Sequence, residues 1–210
     1  RCPMRIFRNP GASVDRLEFS PDGRSLVGGS VPSRLWDLST GDEIFTLGSR
    51  TAFNIGFSRN GRFLATVRAG AAEVWSAETG RPLAPPIKLL ANTTGVAISN
   101  DGRKIAVGGY DDLATIHYVA TGKPLAGPMR HVGLVRHAVF TSDDRVMVTA
   151  SDDRTLRLWD VETGEALGLP LEHGSRALRI SLRADDHAIA TSCSDGRARV
   201  WEIPSTTDSP

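Results

Sequence analysis

The sequence has few cysteines, no long apolar run and no signal peptide. Two cysteines, Cys2 and Cys193, are too few for a disulfide framework or a zinc site. No stretch approaches the roughly 20 apolar residues that a membrane-spanning helix needs, and the N-terminus lacks a basic start followed by an apolar segment. We therefore expect reduced thiols, no disulfide, no membrane insertion and a cytoplasmic location. The first residue is Arg1, so we also expect the chain to be part of a longer protein.

An excess of charge of one sign is also missing. There are 25 Lys and Arg residues and 24 Asp and Glu residues, which gives a formal net charge of +1. The basic residues are spread along the chain and form no cluster. Nucleic-acid-binding domains normally carry a strong basic excess. We therefore expect no nucleic-acid partner.

What the chain has in abundance is turn residues, with 21 glycines and 12 prolines. They recur with a period. Thr-Gly pairs are spaced 39, 42 and 42 residues apart, at Thr40-Gly41, Thr79-Gly80, Thr121-Gly122 and Thr163-Gly164. A ring side chain precedes each pair and closes a fifth copy: Trp36, Trp75, His117, Trp159 and Trp201. A polar turn of the type Phe19-Ser20-Pro21-Asp22-Gly23 lies 17 to 19 residues before each ring. The Thr-Gly pair, the ring side chain and the polar turn recur with the same period, which indicates five copies of one structural unit.

Each copy has the pattern of four short strands. In the copy that ends at Trp159, we predict strands over residues 124–129, 135–140, 145–150 and 155–161, separated by Asp- and Gly-rich turns. No window shows a convincing helical period. Since four short strands bury little alone, the units must stack on one another. The sequence therefore predicts an all-β protein.

Three motifs resemble the WD-repeat (WD40-like) family of β-propellers. They are Leu158-Trp159-Asp160, Ser151-Asp152-Asp153-Arg154-Thr155 and Phe19-Ser20-Pro21-Asp22-Gly23. The resemblance implies a β-propeller of four-stranded antiparallel blades, in which each copy supplies the outer strand of one blade and the inner three of the next. It implies one propeller domain over residues 1–203, with repeats at about 4–41, 42–80, 81–122, 123–164 and 165–203. We expect residues 204–210 to be a disordered C-terminal tail.

The number of blades stays open at this point. Five copies can close a ring if residues 4–7 pair with the strand of Trp201. The family most often has seven blades, in which case the five copies are part of a larger ring and the missing material is N-terminal.

The resemblance also implies a structural hydrogen-bond relay among a His, a Thr or Ser, an Asp and the strand Trp. In the fourth copy these are His131, Thr149, Asp153 and Trp159. In the fifth copy they are His173, Thr191, Asp195 and Trp201, at the same offsets. The first three copies lack a complete set; in the third, Leu89 and His117 stand at the His and Trp positions while Asp111 remains. We expect the relay in two copies and apolar packing in the other three.

The sequence contains few patterns that are typical of catalytic, metal-binding or phosphate-binding sites. The His, Thr and Asp residues could suggest a hydrolase triad, but they recur with Trp and there is no G-x-S-x-G nucleophile elbow. No His or Cys spacing is typical of a metal site, and no phosphate-binding glycine loop is present. His137 is expected to be a surface histidine. We predict no catalytic residue, no metal and no cofactor.

Function is therefore expected on the surface. The resemblance places the His-bearing loops and the Asp-bearing turns on one rim, where Arg, Tyr and Phe are the residue types that anchor interfaces. The candidate rim residues are Arg50, Phe53, Arg68, Tyr110, Arg136, Arg154 and Arg176.

We interpret the chain as a non-catalytic scaffold that binds a protein or peptide, acidic or phosphorylated, on this rim. Its proline-rich segments after Thr-Gly resemble long bacterial signalling proteins of the family, in which a serine/threonine kinase often precedes the propeller. The alternative is a propeller enzyme or a small-ligand-binding propeller with its site at the central channel mouth. The residues at that mouth are a mixed set with no matched acid and base: Asp15, Phe53, Thr94, Arg136 and Leu178.

Overall fold

The regular structure of the chain is entirely β. The computed structural model describes residues 6–8, 14, 16–29, 32–48, 54–68, 70–89 and 93–203. Over these ranges there are 19 strands and no helix, which confirms the all-β prediction. The strands are β1 Arg16–Phe19, β2 Ser25–Gly29, β3 Ser33–Asp37, β4 Glu43–Leu47, β5 Asn54–Phe57, β6 Phe63–Arg68, β7 Ala71–Ser76, β8 Ile87–Lys88, β9 Thr93–Ile98, β10 Lys104–Gly109, β11 Leu113–Tyr118, β12 Pro124–Arg130, β13 Val135–Phe140, β14 Val146–Ser151, β15 Thr155–Asp160, β16 Leu171–Glu172, β17 Ala177–Leu182, β18 Ala188–Cys193 and β19 Ala198–Glu202.

These strands form five antiparallel sheets, which we call blades 1 to 5. Blades 1 to 4 have four strands each, β1–β4, β5–β8, β9–β12 and β13–β16, and blade 5 has β17–β19 within the described residues. In every blade, strands that follow one another in the chain are hydrogen-bonded neighbours. The first strands β1, β5, β9, β13 and β17 contact one another in that order and line one central channel of about 310 Å³. This arrangement agrees with the predicted propeller blades.

The strand positions in the fourth copy match the sequence pattern closely. The segment predicted at residues 124–129 is β12, and it pairs with β11 as the outer strand of blade 3. The remaining strands of the copy, β13 to β15, belong to blade 4. One copy is therefore divided between two blades.

The core lies between the blades. Trp159 and Met147 on one face of blade 4 pack with Ile116 and Met129 of blade 3, and all four are buried. A similar cluster joins blades 2 and 3 through Val67, Val74, Ile105 and Val107. Strands with two apolar faces suit this packing, since blades 2, 3 and 4 each lie between two neighbouring blades.

The turns after the first strands lie at one end of the channel. In blades 1 to 4 each begins with a hydroxyl that donates to a side chain two residues on, as Ser99 does to Asp101 at 2.6 Å and Thr141 to Asp143 at 2.7 Å. In blade 5 the guanidinium of Arg183 donates to Asp185 at 2.8 Å instead. The backbone then takes a positive φ, at Gly102 in blade 3 and at Asp144 in blade 4. Because successive strands are antiparallel, the loops before the first strands and the turns after the second strands share the opposite end, which we call the upper rim.

The N-terminal segment lies against blade 1. The rings of Phe7 and Trp36 are 5.9 Å apart. Among the described residues β19 pairs only with β18. Closure of the ring by Phe7 pairing with the strand of Trp201 is therefore not observed, and residues 4 and 5 lie outside the described ranges.

The remaining expectations concern thiols and membranes. Cys193 is a buried free thiol, and Cys2 and residues 204–210 are not among the described residues. Within the described ranges there is no helix of the length and apolarity needed to cross a membrane.

Candidate functional site

The fourth copy assembles a continuous hydrogen-bonded network inside blade 4. The indole N–H of Trp159 donates to Thr149 Oγ1 at 2.8 Å, and that hydroxyl lies 2.7 Å from His131 Nε2. His131 Nδ1 lies 2.8 Å from Asp153 Oδ2. Since the indole can only donate, the consistent assignment has Thr149 donating to Nε2 and the imidazole donating from Nδ1 to the carboxylate. The four predicted relay residues are brought together here.

Asp153 fixes the loop as well as the imidazole. Its carboxylate accepts from the backbone N–H of Val132 at 3.0 Å and of Thr155 at 2.9 Å, and from the Thr155 hydroxyl at 2.7 Å. Burial opposes ionisation, but the bonds from His131, Val132 and Thr155 prevail and hold the pKa of this carboxyl well below its ordinary value. Asp153 therefore stays ionised while locking an upper-rim loop to an upper-rim turn.

The fifth copy assembles only part of the predicted set. His173 Nε2 lies 2.8 Å from Thr191 Oγ1, as in blade 4, but His173 Nδ1 faces the carbonyl of Leu171 at 3.2 Å. Asp195 pairs instead with Arg199, at 2.8 Å, and no described residue accepts a hydrogen bond from the buried indole N–H of Trp201. The expectation of a second complete relay is therefore not met. This geometry also offers no catalytic triad, since Asp195 does not orient the imidazole.

Blades 1 and 2 keep fragments of the network. In blade 2 the Trp75 indole donates to Thr66 Oγ1 at 3.0 Å, a bond that the sequence analysis did not identify. In blade 1 the residue equivalent to Thr149 is Gly28. A Cβ at this position would lie 2.6 Å from the Trp36 ring, so the ring occupies the space of a side chain. Tryptophan packing thus persists where the relay is incomplete.

The seven candidate rim residues divide into separate groups. Arg50 and Phe53 lie outside the described residues. Arg68 ends β6, and its Nε and Nη2 lie 3.2 and 3.1 Å from Glu73 Oε1 on the neighbouring strand. The guanidinium of Arg68 is therefore already ion-paired within its own blade.

Two of the other candidates, Arg136 and Arg176, lie beside Asp152. Arg136 pairs with both oxygens of the Asp152 carboxylate, one bond being 2.7 Å, and these bonds raise the pKa of Arg136. Arg176 of blade 5 approaches the same carboxylate only to 3.9 Å and keeps a side chain that is 60% exposed. Arg136 of blade 4 and Arg176 of blade 5 therefore form one surface cluster with Asp152. Tyr110 of blade 3 is 67% exposed in the turn after β10, at the same end of the channel.

The surface around this cluster also contains a residue that the sequence analysis did not single out. Val132 is 85% exposed in the loop that Asp153 holds. Arg154, in the adjoining turn, is exposed and has φ of 70°. We call the cluster of Tyr110, Val132, Arg136, Asp152, Arg154 and Arg176 the rim patch.

The central channel contains titratable side chains that the sequence analysis did not place there. Glu18 of β1 accepts from the Phe57 N–H at 3.1 Å, and burial raises the pKa of its carboxyl. His137 of β13 accepts from the Ile180 N–H at 3.3 Å, and burial lowers the pKa of its imidazole to about 4. The expectation that His137 is a surface histidine is therefore wrong. Both side chains tie one inner strand to the next.

The channel-mouth residues have similar roles where they are described. Asn54 donates to the Thr94 carbonyl at 2.6 Å, and the Thr94 hydroxyl donates to the Val135 carbonyl at 2.5 Å. Leu178 belongs to β17, and Asp15 and Phe53 are outside the described ranges. Over the described chain, no three His, Cys, Asp or Glu side chains are grouped so that they could hold a metal ion.

Comparisons with known proteins agree with this architecture. Residues 122–160 match the family described as "WD domain, G-beta repeat", so the chain contains a WD40 repeat, and this segment includes the complete network of blade 4. The chain is also 31% identical over 111 residues to "Transcription initiation factor TFIID subunit 5" of Caenorhabditis elegans. That similarity covers 50% of this chain and 17% of the relative.

Proposed function

We propose that this chain is a non-catalytic interaction scaffold that binds an acidic or phosphorylated peptide segment on its rim patch. The supporting observation is that the upper rim presents the exposed guanidinium group of Arg176 together with the exposed side chains of Tyr110 and Val132. Arginine, tyrosine and apolar side chains that are already partly ordered are typical anchors of peptide interfaces. WD40 repeats support protein–protein interaction in general.

The charge distribution favours an anionic segment. Asp152 forms its close ion pair with Arg136, while Arg176 remains 3.9 Å away and Arg154 is exposed. The loops of Arg154 and Arg176 meet where the Arg154 carbonyl accepts the His173 N–H at 2.7 Å. We therefore propose that a phosphate or carboxylate binds these two arginines without displacing the existing pair. Bidentate guanidinium bonds to such groups are among the stronger hydrogen bonds in proteins.

The rigidity of the blade 4 network supports the same function. Asp153 bonds directly to the loop that carries Val132 and precedes Arg154 in the turn. Loops held in one conformation lose little entropy when a partner binds. The patch therefore has the preorganisation that a peptide site needs.

The test is binding to an immobilised library of acidic and phosphorylated peptides, each printed beside its neutral counterpart. The double variant Arg154→Glu with Arg176→Glu should bind the anionic peptides at least about tenfold more weakly than the wild type, since each reversal places like charge against the peptide. A matched control is Arg81→Glu with Arg145→Glu, which makes the same charge change at exposed positions of the opposite end.

Equal losses in both double variants would show only a net-charge effect. Unchanged binding of the rim variant would contradict the proposal. Selective loss in the rim variant, with preference for anionic over neutral peptides, is the expected result.

The channel offers a weaker case for the alternative of a ligand-binding or catalytic site. Three titratable residues line it among those described: Glu18, Arg59 and His137. Glu18 and His137 both accept backbone N–H groups from neighbouring strands, and Arg59 pairs with Asp186. Their hydrogen bonds serve strand-to-strand contact. This favours the scaffold over an enzyme.

We also infer a longer protein around this chain, a cytoplasmic bacterial signalling protein with a serine/threonine kinase as the attached module. The support is the resemblance of the proline-rich segments after Thr-Gly. Reading the gene upstream of Arg1 tests it: a kinase signature set would support the inference, and its absence would contradict it.

A further inference from the structure

The relay site of the third copy is an open cavity. The positions equivalent to His131, Thr149, Asp153 and Trp159 hold Leu89, Val107, Asp111 and His117. All four of these residues line one cavity of about 520 Å³ between blades 2 and 3. We call it the blade 3 cavity.

The cavity exists because His117 does not take the place of the indole. Its Nδ1 lies 3.2 Å from the Gly122 carbonyl and its Nε2 lies 3.0 Å from Thr115 Oγ1. The imidazole is thus held by its own strand and the following turn. An imidazole is also smaller than an indole, so the space filled by Trp159 in blade 4 is not refilled in blade 3.

The walls are largely apolar. They include Leu89 and Val107, together with Pro124, Gly127 and Pro128 of the outer strand β12. Apolar cavities in proteins can stay dry and take up aromatic molecules. The volume also falls within the range of small-molecule pockets, roughly 300–1,000 Å³.

One polar group in the wall has no hydrogen-bond partner among the residues that the structure describes. Thr93 is 9% exposed, and its hydroxyl makes no hydrogen bond to any described residue. Thr93 lines the blade 3 cavity. An unpaired buried hydroxyl is unfavourable. A ligand therefore gains affinity if the Thr93 side chain turns its hydroxyl toward the cavity and forms a hydrogen bond with the ligand. Asp111, at the relay Asp position, supplies a carboxylate on the same wall.

We propose that the blade 3 cavity binds a small free aromatic molecule of the indole type that carries a hydrogen-bond donor. The ring replaces the indole that the other four blades supply from their own sequence. Its donor is directed to the Thr93 hydroxyl or to Asp111. This site shares no lining residue with the rim patch and does not depend on it, although Tyr110 lies in the chain between the lining residues Gly109 and Asp111.

The test uses indole as the probe, with saturation-transfer NMR and calorimetric titration on the full chain. Three variants test whether indole binds in this cavity and whether the Thr93 hydroxyl contributes. His117→Trp fills the cavity with the indole of the other blades. Tyr118→Trp is its matched control, because the neighbouring side chain is exposed and absent from the cavity wall. Thr93→Val removes the unpaired hydroxyl while keeping the shape.

The wild type and Tyr118→Trp should bind indole equally. Binding should be lost in His117→Trp, and Thr93→Val should weaken it about three- to tenfold, the effect of one hydrogen bond. The rim double variant Arg154→Glu with Arg176→Glu should bind indole like the wild type. Loss of peptide binding therefore reports on the rim patch, and loss of indole binding reports on the blade 3 cavity. If His117→Trp does not fold, the Thr93→Val comparison decides.

Three results would overturn the proposal. They are no binding by the wild type up to the solubility of indole, equal binding by folded His117→Trp, and equal binding by Thr93→Val. A blocked tryptophan tripeptide provides one further arm. Binding of the tripeptide without binding of free indole would assign the cavity to a partner side chain and would also overturn it.

Discussion

Thr149 is the central residue of the blade 4 network because its hydroxyl both accepts and donates. It receives the Trp159 indole N–H and bonds to His131 Nε2, and it is fully buried. A valine at this position keeps the shape but leaves two buried polar groups unpaired. Thr191 in blade 5 bonds to His173 but receives no bond from Trp201.

Thr149→Val should therefore destabilise the protein more than the identical change at Thr191. We expect about 3 kcal/mol for Thr149→Val and about 1–2 kcal/mol for Thr191→Val, since each unpaired buried group costs about 1–3 kcal/mol. Chemical denaturation of both variants beside the wild type measures the difference. Equal costs would show that the indole bond contributes nothing.

His137 makes the stability of the protein depend on pH. Burial, with Arg16 as the second cause, lowers its pKa from 6.5 to about 4. A lowered histidine pKa means that the unfolded chain binds the proton first, so the free energy of unfolding falls as the pH falls through the window from 6.5 to about 4. The loss attributable to this group is about 3 kcal/mol.

His137→Asn isolates this effect, because the amide oxygen can accept the Ile180 N–H and does not titrate. We expect the variant to lose less stability than the wild type between pH 7 and pH 4. Denaturation curves at a series of pH values provide the measurement. Parallel pH profiles for the two proteins would contradict the assignment.

At the scale of single elements, the close approach of neighbouring blades is set by glycines in the strands. A Cβ on Gly108 of β10 would lie 2.6 Å from the Val135 side chain and 3.1 Å from its carbonyl. A Cβ on Gly56 of β5 would meet only ordinary contacts, the nearest at 3.7 Å. The two glycines therefore respond differently to the same substitution.

Gly108→Ala should destabilise the protein by about 1–3 kcal/mol, the usual effect of overpacking. Gly56→Ala should be neutral or stabilising by up to about 1 kcal/mol, because alanine restricts the unfolded chain. Thermal unfolding of the two variants gives the comparison. A similar melting temperature for both would show that blades 3 and 4 can separate without cost.

Strands and turns were predictable because their signals are local. Alternating β-branched residues and Asp- or Gly-rich turns gave the strands of the fourth copy to within a residue or two. The blade 4 network was predictable because all four residue types stand at the expected offsets. These features depend on short stretches of chain.

The fifth relay could not be resolved from residue types, since Asp195 has a competing partner. Arg199 pairs with Asp195. In blade 4 the equivalent arginine, Arg157, does not pair with Asp153, whose carboxylate bonds to His131 instead. The blade 3 cavity was missed for a related reason. The substitutions at Leu89 and His117 were visible, but the direction of the imidazole is set by Gly122 and Thr115.

At the scale of the molecule, the turns at the lower end of the channel link the blades in sequence. The N–H of Asn60 in blade 2 donates to Asn100 at 3.0 Å, the N–H of Asn100 to Asp144 at 2.8 Å, and the N–H of Ser142 to Asp186 at 2.7 Å. Arg59 of blade 2 pairs with the same Asp186 across the channel end. Asp186 therefore joins blade 5 to two other blades.

Asp186→Gly should loosen the docking of blade 5. Glycine tolerates the positive φ of 62° at this position, so the carboxylate is the main loss. We expect amide hydrogen exchange in β17 to β19 to become at least about tenfold faster, with smaller changes in blade 3. Asp185→Gly is the control, because Asp185 bonds only within its own turn. Equal exchange in both variants would refute this role.

The uneven distribution of indoles gives the molecule a natural set of spectroscopic labels. The four tryptophans fall one to a blade, in blades 1, 2, 4 and 5, and blade 3 has none. The indole protons of Trp75 and Trp159 are hydrogen-bonded, whereas that of Trp201 has no acceptor among the described residues. Their NMR resonances should therefore differ in solvent exchange. Blade 3 contributes no indole resonance to this spectrum. An indole molecule bound in the blade 3 cavity would therefore supply the first such resonance from that blade.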